Sequence, residues 1–118
     1  MSELLDKLTT YGGIDVEDGK RRMMGNEGLY VRCLKMFYDQ AGKSRLTELV
    51  GSGDYEEATK DAHALKGTTG NLSLTGLFEK YNEILRRLRA AEYDGLAALV
   101  EAAVAQQKDI CDIIQSCM

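Results

Sequence analysis

Asp61-Ala62-His63-Ala64-Leu65-Lys66-Gly67-Thr68-Thr69-Gly70-Asn71-Leu72 holds the only histidine of the chain. Laid on a helical wheel at about 100° per residue, Tyr55, Ala58, Ala62, Leu65, Thr69 and Leu72 form one apolar stripe at three- and four-residue steps. Thr59, His63, Lys66, Gly67 and Gly70 form a second stripe, and His63 sits roughly 130° from the centre of the first. This geometry predicts a helix buried along one side with the imidazole on the other, facing solvent. Gly67, Thr68, Thr69 and Gly70 are poor helix formers and cost about 2 kcal/mol in total relative to alanine. Small residues repay that cost if the surface must stay open to a close-approaching partner, or if neighbouring helices pack tightly there.

Outward from this stretch, the chain reads as further helices. Asp54 is placed to cap the histidine helix, with Glu56 and Glu57 in its first turn, where the helix field favours acids. Upstream, residues 2–10 make a short amphipathic stretch through Leu4, Leu5 and Leu8, ended by Gly12-Gly13. A second short helix is expected from Asp15, as N-cap, to about Met23, and Gly25-Asn26 breaks it. Asn26 then caps a long helix over about 27–41, carrying Leu29, Tyr30, Leu34, Phe37, Tyr38 and Ala41, and a short helix over about 43–51 follows.

Downstream, Asn71-Leu72-Ser73 is expected to turn, with Ser73 or Thr75 capping a helix over about 74–91. Leu77, Phe78, Tyr81, Ile84, Leu85 and Leu88 face inward on it. Antiparallel packing through so tight a turn sets His63 level with Tyr81 and Asn82. Arg86, Arg87 and Arg89 form a basic patch near its end, a favourable place for positive charge in any helix and also a possible edge for an acidic partner. Residues 94–116 complete the set. The expectation is one all-α domain over 1–118: an antiparallel four-helix bundle of about 27–41, 54–70, 74–91 and 94–116, with short additional N-terminal helices.

Composition supports a helical domain and narrows function. The 118 residues include no proline and can bury a core without metal or disulfide help. A net charge of −4 with interspersed signs argues against a nucleic-acid surface. No stretch approaches the roughly 20 apolar residues of a membrane span. Ser2-Glu3 before two leucines is unlike a targeting segment. Cys33, Cys111 and Cys117, with no C-x-x-C spacing, read as reduced thiols acting as small hydrophobes, so the expected location is cytoplasmic. One histidine with scattered cysteines does not supply the three or four ligands of a metal site. No Walker A or kinase pattern is present, so neither ATP binding nor autophosphorylation is expected.

With His63, Leu65, Lys66, Gly67, Thr68, Thr69, Gly70, Asn71 and Leu72, the segment resembles the histidine-containing phosphotransfer (HPt) domains of bacterial and fungal two-component phosphorelays. Gly13-Ile14-Asp15 and Arg22 to Tyr30, followed by Leu34 and Phe37, look like that family's N-terminal lead-in, so the resemblance covers roughly 13–90. The family continues with Gly then Ala, where this chain has Ser73 and Leu74. The resemblance implies that His63 is a phosphoacceptor, Lys66 its electrostatic support, and Gly67 and Gly70 the openings that admit a partner. Thr59, Asn82, Arg86 and Arg89 are the expected partner contacts. The implied partners are response-regulator receiver domains, including the receiver of a hybrid sensor kinase. Mg²⁺ is expected in the receiver and no cofactor in this chain, which acts as a monomeric phosphoryl carrier and not an enzyme. The alternative is a helical adaptor that binds a receiver or kinase without carrying phosphate, and a buried or internally hydrogen-bonded His63 would favour it.

Overall fold

The computed structural model describes residues 2–118. Among them there are seven helices and no strand: α1 (Glu3–Tyr11), α2 (Val16–Arg22), α3 (Glu27–Gly42), α4 (Leu46–Gly51), α5 (Tyr55–Asn71), α6 (Thr75–Arg89) and α7 (Leu96–Ser116). Side-chain caps start four of them. Ser2, Asp15, Asn26 and Asp54 accept the backbone N–H groups of Leu5, Asp18, Leu29 and Glu57, which otherwise have no helical partner. No helix is long and apolar enough to cross a membrane.

Three sets of contacts run in opposite residue order and show that the helices concerned are antiparallel. Between α5 and α6, Gly70 stands against Phe78, and Lys66 shares a cavity with Asn82. Between α6 and α7, Lys80 donates to Gln106 (2.7 Å), Tyr81 to Gln107, and Arg87 to the Asp94 carbonyl (3.1 Å). Between α3 and α5, Thr68 donates to Gln40 (2.8 Å), while Asp61 meets Ser44 and Arg45 just beyond the end of α3. The core between them holds Tyr30, Leu34, Phe37, Leu65, Leu77, Tyr81, Ile84, Leu85, Val100, Ile110 and Ile114, all essentially excluded from water.

One cluster braces the turn between α5 and α6. The buried Tyr30 hydroxyl donates to the Leu72 carbonyl (2.6 Å), and burial pushes its pKa up to about 12. The Ser73 hydroxyl donates to Asp18 (2.6 Å), the Asp15 N–H to the Ser73 carbonyl (2.9 Å), and the Gly76 N–H to the Gly13 carbonyl (2.9 Å). Gly19 is needed here, because a Cβ on it would lie 2.3 Å from the Tyr30 ring.

One expectation is corrected. Neither Ser73 nor Thr75 caps α6, whose N-cap is Leu74 with no side-chain hydrogen bond. Ser73 instead terminates α5. It takes a left-handed conformation (φ 57°), and the N–H groups of Ser73 and Leu74 return to the Gly70 and Thr69 carbonyls in the pattern that usually ends on glycine. Its hydroxyl is engaged by Asp18 and the Thr75 hydroxyl turns to the Ser73 carbonyl (3.3 Å), so neither reaches the α6 amides. Lys66, one turn along α5 from His63, shares a cavity with Asn82, Leu85, Arg86 and Arg89 of α6.

Candidate functional site

α5 presents its two stripes as the wheel requires. Ala58, Ala62, Leu65 and Thr69 are buried, and Tyr55 is half-buried with its ring stacked on Tyr93 (3.8 Å between centroids). On the opposite side His63 and Gly67 are exposed, and Thr59, Lys66 and Gly70 are half-buried. The imidazole therefore stands on the outer face of a helix whose inner face is locked into the core.

The two glycines beside it differ in kind. A Cβ on Gly67 would meet nothing within 4 Å, so no packing constraint in this chain explains a glycine there. A Cβ on Gly70 would lie 3.1 Å from two Phe78 ring carbons, so Gly70 is the place where α6 approaches α5. The open surface beside His63 thus lies at Gly67, and the small size of Gly70 serves helix packing.

Lys66, one turn from His63, lines a shallow cavity of about 410 Å³ with Asn82, Leu85, Arg86, Arg89 and Ala90. Asn82 and Arg89 are exposed. Arg86 is held by Glu83 (2.7 Å) and Glu92 (3.2 Å), which raise its pKa, while Arg86 and Arg87 together hold the Glu83 carboxyl down to about 2. Among the described residues Arg32, Lys35, Lys43, Lys66, Lys80 and Arg89 enter no ion pair, and of these Lys80 is held by Gln106. Thr59, on the near side of His63, turns its hydroxyl back to the Tyr55 carbonyl (2.7 Å), a bond internal to the helix.

Asp61 has a role that sequence reasoning missed. Its carboxylate accepts the Arg45 N–H (2.8 Å) and the Ser44 hydroxyl (3.1 Å), fastening the start of α4 to α5 two residues before the histidine. Arg45, the N-cap of α4, makes no side-chain cap bond, so Asp61 supplies the acceptor from another helix. Nothing local to 43–46 signals this.

The cysteines stay apart from the site. All three are free and half-buried, and burial raises the Cys111 thiol to about 11, away from the thiolate that nucleophilic chemistry needs. Among the described residues no group of three or more His, Cys, Asp and Glu gathers in a way that could hold a metal ion.

Comparison with protein-family models, with curated proteins and with solved structures finds no match to this chain.

Proposed function

We propose that this protein is a histidine phosphotransfer domain: His63 takes a phosphoryl group from the aspartyl phosphate of one receiver domain and gives it to another. The observation that carries the reading is the exposed imidazole beside Gly67, where the helix surface is bare and a large partner can reach the ring. α3, α5, α6 and α7 are read as an antiparallel four-helix bundle that holds the ring in place. The adaptor alternative calls for a buried or internally held imidazole, and the exposure of His63 weighs against it.

The chemistry follows from the parts. A neutral imidazole has a lone pair on Nε2, which attacks phosphorus in line with the aspartyl oxygen. The N–P bond forms as the P–O bond breaks, the electron pair returns to the departing carboxylate, and Nδ1 keeps its proton. The second transfer is the reverse step onto another receiver's carboxylate. Mg²⁺ belongs to the receiver. This chain contributes the nucleophile and the Lys66 ammonium, a turn away, which favours negative charge arriving at the ring. It is a carrier with no catalytic cycle of its own, and no ATP site is part of the proposal.

Single-turnover transfer from a phosphorylated receiver tests the division of labour. His63→Gln is expected to abolish labelling while circular dichroism stays helical. Lys66→Ala removes one charge-assisted hydrogen bond, about 1.5 to 3 kcal/mol, and so slows transfer about ten- to a hundredfold. Label persisting on the His63 variant overturns the mechanism. An unchanged Lys66→Ala rate removes Lys66 from it.

A further inference from the structure

Two polar side chains meet inside the bundle, and one of them keeps unused capacity. The Tyr81 hydroxyl of α6 donates to the side-chain carbonyl of Gln107 on α7, and Gln107 is only 7% exposed. The other end of that amide, Nε2, carries two N–H donors and has no hydrogen-bond partner among the described residues. No fully buried side-chain nitrogen or oxygen of those residues lacks a partner, so Nε2 must reach open space. The space is a cleft between α3, α4 and α7. It has one lobe of about 470 Å³ and a smaller one of about 230 Å³, and Ala41, Val104 and Gln107 line both.

Tyr38, Ala41, Val104 and Cys111 are half-buried and give the larger lobe apolar walls around that donor. Apolar walls with a few fixed polar groups, enclosing about 300 to 1,000 Å³, are the usual make-up of a small-ligand site. Charge at the rim narrows the choice of ligand. Lys108 is paired with Asp112 (2.8 Å) and Arg45 with Glu48 (3.1 Å). The exposed Asp39 enters no ion pair among the described residues, so the rim is negative and disfavours an anion. A donor in apolar surroundings calls for an acceptor, and the acceptor that suits this rim is a neutral carbonyl.

From these observations we infer that the cleft binds an uncharged small molecule with a flat, largely apolar body and one carbonyl. The carbonyl accepts from Gln107 Nε2, and the body lies against Tyr38, Val104 and Cys111. Tyr81 is a positioning residue: by occupying the Gln107 carbonyl it fixes which end of the amide faces the cleft, so the site offers a donor. No residue of α5 lines the cleft, so the site is separate from His63 and does not rest on the phosphotransfer reading.

The test uses the full chain and acetophenone as probe, followed in proton–nitrogen correlation spectra. Ethylbenzene keeps the ring and drops the carbonyl, and benzoate adds a negative charge. Acetophenone is expected to shift the Gln107 side-chain NH₂ signals and the Val104 and Cys111 amides saturably, with ethylbenzene and benzoate each binding about tenfold more weakly or worse. Tyr81→Phe combined with Gln107→Met removes both ends of the internal hydrogen bond, leaves neither group unsatisfied, and is expected to weaken acetophenone about tenfold. Val104→Phe fills the junction of the two lobes and is expected to abolish the shifts. If either variant loses its helical circular dichroism, the three-probe comparison on wild type decides alone. A wild type with no saturable shift at these residues overturns the site. So does ethylbenzene or benzoate binding as tightly as acetophenone, or undiminished binding by a folded Val104→Phe. So also does movement of the same signals on dilution of the protein alone, because a second copy then fills the cleft.

Discussion

The outer face of α5 at His63 and the brace behind the α5–α6 turn are less than three helical turns apart, and they are built on opposite rules. In the brace every group is spoken for: Tyr30, Asp15, Asp18, Ser73, Gly13 and Gly76 exchange hydrogen bonds across four segments, and Gly19 is a glycine because the Tyr30 ring occupies the space a Cβ would need. At His63 the reverse holds. Gly67 faces open space, Lys66 enters no ion pair, and the imidazole is exposed. The contrast shows how a rigid site is made. Backbone position is fixed where surface is buried, and the side chains on the far side of the same helix are left free.

Exchanging glycine for alanine in both regions is the sharpest way to break the contrast. At Gly19 the added methyl group strikes a buried, hydrogen-bonded ring, and the overpacking outweighs the gain in helix propensity. Gly19→Ala is expected to lose about 2 kcal/mol, read as a lower urea midpoint at constant slope. A midpoint equal to wild type shows that the brace can yield and is not the rigid half of the comparison.

At Gly67 the same exchange has the opposite sign. With nothing to strike, alanine gains about 1 kcal/mol from helix propensity, so the midpoint is expected to rise. Gly70→Ala, pressed 3.1 Å from the Phe78 ring, is expected to fall between the two, near zero. A destabilised Gly67→Ala contradicts the open face directly. If instead it is stabilised while phosphotransfer from a receiver slows, Gly67 is kept for access at a cost in stability.

The smallest effect is electrostatic. The Asp18 carboxyl is held below its usual pKa, first by the Ser73 hydroxyl, then by Arg22. A carboxyl with a lowered folded pKa contributes stability that is fully present above its unfolded pKa and lost as pH falls toward the folded value. The acid limb of the stability curve, below about pH 4, is therefore expected to be shallower in Asp18→Asn, with a modest loss at neutral pH from weakening the bond to Ser73. Identical acid limbs in the two proteins take Asp18 out of the brace. As a partly exposed group it contributes little either way.

The chain's own order shows how much of this could be read in advance. All-helical architecture, the breaks at Gly12-Gly13 and Gly25-Asn26, the caps at Asp15, Asn26 and Asp54, and the exposure of His63 opposite Ala58, Ala62, Leu65 and Thr69 depend on neighbours within four residues. Helix geometry makes such neighbours predictable from spacing alone. Element ends moved by one or two residues, as helix ends fray, except the start of α4, which lies at Leu46 and not at about 43.

Other features turn on which residues of distant segments meet, and no local period encodes that. Gly67 and Gly70 are alike in sequence, and only Phe78, arriving from α6, makes one a packing residue and leaves the other bare. Asp61 caps a helix that begins 15 residues before it, because α4 folds back across α5. Ser73 stands where the resembling family keeps a glycine and accepts a left-handed backbone, at about 1 to 2 kcal/mol, while its hydroxyl is held by Asp18, 55 residues earlier. Helix, cap and outward face were thus determined by the sequence within each turn. The register of α6, the division between the two glycines and the brace were decided by how whole helices slide and rotate against one another, through contacts that exist only once the chain has closed on itself.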